Sequence, residues 1–510
     1  MRRSFLVLVV AAALTIPLAF SASAFAAGSL LQISSDPFTS PPGQHKTQVE
    51  PDTFAWGRTW ISVFQSGRIF SGGASNIGFA VSHDAGNTFT HGFLPGTTIY
   101  ARPAGMYLAV SDASVAYDAK SGVWLVSYLA IAPGDTGRTD VLVSRSTDGG
   151  NTWGTPIAVA ATGDFFDKNW SVCDNTATSP FYGHCYTEFD DVNFGDLEQM
   201  STSTDGGLTW SGRQATADKV RGLGGQPVVQ PNGTVIVPFE GFSDTSYFVK
   251  SFMSTNGGAS WNKSVIVSET RYHPPTGDLR GPALPSAEID AQGRVYVTWA
   301  DCRFEAGCTS AISPNSAGDL LLSTSTDGLA WSAPVRIPLD PVGSGVDHFL
   351  PGLGVDRSTS GSGARLALVY YYYPKAACRT ATCELDVGFS LSSDGGASWT
   401  PGSRIAGPMH LTWLPLTSQG YMVGDYFSTS FVEGTPYPAF AVASPPTSGG
   451  SSCFTATPNC DQAMFTVKGG LSSTHAAAAT AARSARVRAG RSRIVRLRAG
   501  QARIGRPTAH

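Results

Sequence analysis

Charged and aromatic side chains precede several predicted strands, beside turns rich in glycine and proline. An arginine fork can bind a carboxylate at two points, and a carboxyl group, histidine or tyrosine can transfer protons or attack a substrate. The candidate catalytic residues are Asp167, Arg221, Arg280, His348, Asp425 and Tyr426. Asp112, Lys168 and Asp347 occupy similar positions. If the fold brings these groups to one opening, they suit an anionic or hydroxyl-rich ligand. The alternative is that these side chains pair with one another and have a purely structural role.

A short repeat indicates which elements must position these side chains. Four copies fit Ser-x-Asp-x-Gly-x-Ser/Thr-Trp/Phe and begin at Ser82, Ser146, Ser203 and Ser392, and two degenerate copies begin at Ser254 and Ser325. Asp accepts hydrogen bonds from nearby backbone N–H groups and Gly adopts positive φ, so each copy predicts a hairpin turn. Three predicted strands precede each copy. Units that cannot bury their own faces stack on their neighbours, and radial stacking of four-stranded units makes a β-propeller.

This repeat matches the Asp-box, or BNR repeat, and the chain resembles the sialidase-like Asp-box propellers over roughly residues 49–402. The resemblance implies an all-β propeller of four-stranded antiparallel blades. It also implies that each box joins the third and fourth strands of a blade, away from the active face. After the sixth box, residues 424–431, 438–443 and 463–467 are predicted as three more strands. Residues 29–33 can supply the fourth. We therefore expect seven blades, with six, the number in sialidases proper, as the alternative.

The resemblance also implies a set of catalytic groups. Sialidases hold the substrate carboxylate with three arginines, use a tyrosine nucleophile activated by a glutamate, and use an aspartate as acid and base. Their Phe/Tyr-Arg-Ile-Pro motif is matched here only by Gly67-Arg68-Ile69-Phe70, which lacks the proline. A set in the family's order consists of Arg68, Asp112, Glu269, Arg280, Arg365 and Tyr371. With 38 acidic and 35 basic residues to choose from, such an order arises by chance.

The termini and cysteines predict an exported protein. Residues 1–27 have two arginines, an apolar run and small residues at the end, as in a secretory signal peptide. Four close cysteine pairs predict four local disulfides, which an oxidising compartment favours: Cys173 with Cys185, Cys302 with Cys308, Cys378 with Cys383, and Cys453 with Cys460. No Cys-x-x-Cys or His-x-x-x-His pattern predicts a metal site. We expect no cofactor. Calcium binding stays an alternative because several turns are acidic, although no Asp-x-Asp-x-Asp loop is present.

Charge divides the chain into an acidic body, residues 28–470, and a basic tail, residues 471–510, with nine arginines and no acid. An acidic body disfavours nucleic acid, whose phosphates need neutralising. The tail is interpreted as solvated or disordered, with contact to anionic cell-wall polymer or a membrane surface, or folding back on the body, as alternatives.

Three functions fit these observations. The leading one is a secreted, monomeric, sialidase-like propeller that acts on or binds an extracellular glycan or glycoprotein, with exo-acting glycoside hydrolysis as the reaction class. The second is a non-catalytic module that binds carbohydrate or protein. The third is a structural protein of the cell envelope that is attached by its basic tail.

Overall fold

A computed structural model describes residues 29–134, 137–243, 245–446, 453 and 460–472. The predicted signal peptide and nearly all of the basic tail lie outside the described residues. Within these residues the chain is all-β, apart from three short 3-10 helices at Val192–Phe194, Gly361–Gly363 and Leu411–Trp413. No helix in this part of the chain is long and apolar enough to cross a membrane.

The strands of the first half follow one another with short turns, as the repeat predicts. They are β1 (Leu30–Gln32), β2 (Gln48–Trp56), β3 (Thr59–Arg68), β4 (Ala74–Ser82), β5 (Thr90–Phe93), β6 (Ala109–Asp118), β7 (Val123–Ile131), β8 (Thr139–Ser146), β9 (Ile157–Ala160), β10 (Phe166–Cys173), β11 (Cys185–Asp191), β12 (Leu197–Ser203), β13 (Gln214–Ala215), β14 (Gly222–Leu223), β15 (Val228–Val229) and β16 (Val235–Phe242).

The second half continues in the same manner. Its strands are β17 (Tyr247–Ser254), β18 (Val265–Thr270), β19 (Ser286–Ile289), β20 (Val295–Asp301), β21 (Asp319–Ser325), β22 (Val335–Arg336), β23 (Asp347–Val355), β24 (Leu366–Tyr373), β25 (Glu384–Ser392), β26 (Ser403–His410), β27 (Leu416–Thr417), β28 (Gly420–Tyr421), β29 (Thr429–Val432), β30 (Thr435–Pro438), β31 (Phe440–Ala443) and β32 (Gln462–Val467).

Antiparallel pairing groups these strands into sheets in chain order. Strands β10–β13, β19–β22 and β23–β26 each form a four-stranded sheet. Strands β2–β5 and β6–β9 pair in the same order and are joined by one residue pair between β4 and β6, Ala74 with Val110. The sheet between β13 and β19 in the chain has the order β14-β16-β17-β18, and β15 also pairs with β16. The last sheet has the order β1-β32-β31, which confirms the prediction that residues 29–33 pair with a strand near the chain's other end.

The first strands of the sheets lie side by side. Strand β2 contacts β6, which contacts β10, and the contacts continue through β15, β19, β23 and β29 back to β2. Side chains on one first strand hold the backbone of the next. Asp52 accepts a hydrogen bond from Val115 N at 2.8 Å, and Ser286 Oγ accepts one from Leu353 N at 3.1 Å. A narrow cavity of about 30 Å³ runs between these strands.

The six boxes join the third and fourth strands of their sheets, as the resemblance implies. In the complete copies the Asp Oδ1 accepts the backbone N–H of the residue four positions later, at 2.9 Å each time. The box serine Oγ accepts the N–H of the glycine four positions later at 2.8–2.9 Å. These hydrogen bonds close tight turns. The box aspartates therefore stabilise hairpins.

All four predicted disulfides are present: Cys173–Cys185, Cys302–Cys308, Cys378–Cys383 and Cys453–Cys460. Each closes a local loop. Disulfides are typical of oxidising compartments, so this set fits an extracellular protein.

Candidate functional site

The site begins with an irregularity that several first strands share. Strands β2, β6, β10 and β23 each have a shift in register near their start, the signature of a β-bulge. The residues there with positive φ are Glu50 (φ 55°), Asp112 (φ 50°), Lys168 (φ 36°) and Leu350 (φ 49°). A left-handed backbone is uncommon for residues with a side chain and marks positions worth functional scrutiny. Three of the four side chains are ionisable.

Two loops complete the group. Arg280 lies in the loop before β19, where its backbone N–H donates to Tyr421 O at 2.8 Å. Asp425 lies before β29, and its N–H donates to Glu50 Oε1 at 3.2 Å. Arg280 Nε lies 2.7 and 2.9 Å from the two carboxylate oxygens of Asp425, and Nη2 also donates to Oδ2. We call Glu50, Asp112, Asp167, Arg280 and Asp425 the mouth cluster.

The members of the mouth cluster act on one another electrostatically. Burial, together with the charges of Asp112 and Asp425, raises the pKa of Glu50 to about 8 against the lowering effect of Arg280. Burial, followed by the charge of Asp112, raises the pKa of Asp167 to about 7. Near neutral pH the site therefore has carboxyl groups that hold protons beside an ion pair. Clusters of carboxyl groups with shifted pKa values are typical of sites for acid–base chemistry.

Arg280 keeps part of its guanidinium available. Its side chain is 22% exposed. Nε and Nη2 are used by Asp425, whereas Nη1 makes no hydrogen bond with any residue that the structure describes. Arg68, at the end of β3, is buried behind the cluster and donates to the carbonyl oxygens of Ile69 and Gly73. Burial lowers the pKa of Arg68 to about 10.

Tyr426 and Lys168 pack against each other beside the mouth cluster. The Tyr426 hydroxyl donates to Ala113 O at 3.2 Å, and its ring packs edge-on against Trp170. Lys168 Nζ lies 3.4 Å from the centre of the Tyr426 ring. Burial holds the pKa of Tyr426 well above its ordinary value. A buried phenol with its proton committed to a carbonyl is a poor nucleophile, so Tyr426 supports the site by packing.

The structure does not bring the other two candidates into the cluster. Arg221 is exposed, donates to Gly195 O and lies over the Phe242 ring. His348 is buried near the start of β23, where burial lowers its pKa, and it packs against Tyr370 and Tyr372. Of the six candidates, Asp167, Arg280 and Asp425 share electrostatic interactions, and Tyr426 lies beside them.

Sequence reasoning missed Glu50. Glu50 was not among the polar residues recognised near strand starts, whereas β2 begins at Gln48 and carries Glu50 in its bulge. The matching residues Asp112 and Lys168 were recognised as polar positions near strand starts. Aligning the three strands on those positions would have identified Glu50.

A group of buried acidic residues lies next to the mouth cluster. Glu188 and Asp190 on β11 and Glu198 on β12 are fully buried, and their carboxylate oxygens have no hydrogen-bond donor among the described residues. Burial, followed by neighbouring carboxyl groups, raises the pKa of Glu188 and Asp190 well above the ordinary range. Asp190 pairs with Asp167 across the sheet, so this group extends the acidic character of the mouth.

Comparison with known proteins identifies the class. A family model described as a BNR repeat-like domain matches residues 125–401, more than half of the chain. The chain therefore belongs to the family of proteins that carry this BNR repeat-like domain.

Solved structures give more distant likenesses. A Hadza microbial sialidase is 15% identical with a TM-score of 0.40, over 78% of this chain and 65% of that chain. This chain thus spans slightly less than two thirds of that sialidase. A leech intramolecular trans-sialidase is 12% identical with a TM-score of 0.47, over 72% of this chain and 70% of that chain. An ulvan lyase is 11% identical with a TM-score of 0.48, over 88% and 99%.

Proposed function

We propose that the chain is an exported glycan-acting protein whose mouth cluster hydrolyses a glycosidic bond. One observation carries the proposal: ionisable side chains from β2, β6, β10 and two distant loops are close enough to shift one another's pKa. Carboxyl groups of different proton affinity at one site are what glycoside hydrolysis requires. Membership of the BNR repeat family supports the same substrate class.

A seven-bladed propeller would explain this convergence. The cyclic contacts from β2 through β29, the shared sheet of β1 and β32, and the cavity between the first strands support that arrangement. In a propeller the starts of the first strands meet around one opening. β-Bulges at the strand starts interrupt the alternation of side chains between the two faces of the sheet and so re-aim single side chains.

The residues suggest distinct roles. Asp167, with its pKa near 7, can donate a proton to the leaving oxygen of the glycosidic bond. Water then adds to the anomeric carbon as that carbon–oxygen bond breaks, and a neighbouring carboxylate such as Asp112 accepts the water's proton. Asp425 orients Arg280, whose Nη1 can bind a carboxylate or hydroxyl group of the sugar.

A hydrolysis assay tests the proposal. The secreted protein is offered a fluorogenic sialoside and a panel of other terminal glycosides. Arg280→Gln is compared with the matched control Arg221→Gln, since only the first arginine lies in the mouth cluster. We expect turnover by wild type, a loss of at least about 100-fold in Arg280→Gln, and near-normal turnover in the control. No turnover of any substrate by folded wild type would overturn the enzymatic proposal.

Non-catalytic glycan binding is the second candidate. The bidentate pairing of Arg280 with Asp425 favours it, because that pairing already satisfies much of the guanidinium. A glycan array separates the two. Binding without turnover, lost in Arg280→Gln, would support a lectin-like propeller.

A further inference from the structure

A second polar cluster lies between two neighbouring sheets. Asp319 is the first residue of β21, Asp340 follows β22, and His348 is the second residue of β23. One ligand atom from each of the three side chains lies within 4.8 Å of the others. Because β21 and β23 belong to adjacent sheets, the cluster spans a junction between them.

The histidine is oriented as a ligand would be. His348 Nδ1 lies 3.2 Å from Gly318 O. A carbonyl oxygen only accepts, so Nδ1 carries the proton and Nε2 of the neutral ring presents a lone pair. The ring is fixed by Tyr370 and Tyr372, whose centres lie 5.4 and 6.0 Å away. A backbone carbonyl on the opposite nitrogen is the usual way in which a metal-binding histidine is held.

The Asp319 carboxylate supplies an independent observation that points to a bound ion. Its side chain is 2% exposed. Oδ1 accepts from Arg336 Nη2 at 2.7 Å, but the buried Oδ2 has no hydrogen-bond partner among the described residues. A buried carboxylate oxygen without a partner costs stability, and an ion is one of the few ways to satisfy it.

The charge balance also favours a cation. Arg336 Nη2 lies 2.7 Å from Asp340 Oδ1 as well, so one guanidinium serves two carboxylates. Asp340 Oδ2 accepts from Ser344 Oγ. Asp347, next to His348, is already paired with His273 Nε2 at 3.3 Å. Arg336 therefore balances only one of the two carboxylates, Asp319 and Asp340, in this cluster.

We propose that Asp319, Asp340 and His348 bind a divalent transition-metal ion, of which Zn²⁺ is the most suitable. One imidazole nitrogen and two carboxylate oxygens are ligands that Zn²⁺ accepts in a four-coordinate site. Ca²⁺ prefers six to eight oxygen ligands, so this set disfavours it. The ion would join β21 to β23, with Arg336 hydrogen-bonded to both carboxylates from outside the metal shell.

Calorimetry on the full secreted chain, stripped with a chelator, tests this site. We expect one Zn²⁺ per chain and no comparable binding of Ca²⁺. His348→Gln and Asp319→Asn should each weaken Zn²⁺ binding at least about 10-fold. His91→Ala, which changes an exposed histidine, is the control and should bind normally.

Thermal unfolding with and without Zn²⁺ gives a second readout. Because binding to the folded state stabilises it, Zn²⁺ should raise the unfolding midpoint of wild type and His91→Ala but not of His348→Gln. Absence of Zn²⁺ binding by folded wild type would overturn the proposal. So would binding that is unchanged in both His348→Gln and Asp319→Asn.

Discussion

The buried pair Glu188 and Glu198 predicts an unusual dependence of stability on pH. As carboxylates both side chains could only accept hydrogen bonds, so their close approach needs a proton. Burial raises the pKa of Glu198 from its ordinary 4.5 to about 8. The unfolded chain loses this proton above about pH 4.5, whereas the folded chain keeps it until about pH 8. Between those values the folded state binds more protons, so its contribution to stability falls as the pH rises.

The magnitude follows from the difference in pKa. At about 1.4 kcal/mol per pKa unit, proton uptake by Glu198 costs about 5 kcal/mol at pH 8 as an upper limit. Glu198→Gln removes this cost and places an amide donor beside Glu188. We expect the variant to be more stable than wild type by about 2–4 kcal/mol at pH 8. At pH 5 the advantage should be below about 1 kcal/mol.

Urea unfolding at pH 5 and pH 8 measures the effect. Glu384→Gln, at an exposed glutamate, is the matched control and should change stability little at either pH. A Glu198→Gln variant that is destabilised equally at both values would refute the reasoning, because the carboxyl would then have no raised proton affinity to remove.

Three further predictions concern the mouth and the turns. Turnover should fall about tenfold per pH unit above about pH 7, as Asp167 loses the proton that it donates; a pH–rate profile that stays flat to pH 9 would exclude Asp167 as the acid. Tyr426→Phe removes a hydroxyl that donates to Ala113 O, so kcat should stay within about threefold while stability drops about 1 kcal/mol. A large loss of kcat would instead support a tyrosine nucleophile. Asp205→Ala removes the acceptor for Thr209 N and Thr209 Oγ1 and should destabilise the protein by about 1–2 kcal/mol, with unchanged KM in the hydrolysis assay.

The repeat made the fold readable from the sequence. A box such as Ser203 to Trp210 encodes its own turn through contacts four residues apart, so neither burial nor distant strands are needed to recognise it. The cysteine pairs were equally local, with sequence separations of 5 to 12 residues. The pairing of β1 with β32 was predicted only because the unit after the last box lacked a fourth strand.

The site was less predictable because its contacts are long-range. Arg280 and Asp425 are 145 residues apart, and their ion pair depends on how two loops meet over Glu50. Glu50 contacts Asp425 because a β-bulge interrupts β2 at this position. Local sequence propensity does not predict that bulge. Arg221 has a similar glycine-rich setting in the sequence but ends beside Gly195, since its loop leads toward a different part of the fold.

Comparing the turnover of wild type and Asp167→Asn on the glycoside panel tests directly whether the mouth cluster hydrolyses glycosidic bonds. The substitution preserves size and removes the donated proton, and circular dichroism confirms that the variant is folded. We expect measurable hydrolysis by wild type and a loss of at least about 100-fold in kcat for Asp167→Asn. Equal turnover by the two proteins would contradict the assignment of the chemistry to the mouth cluster.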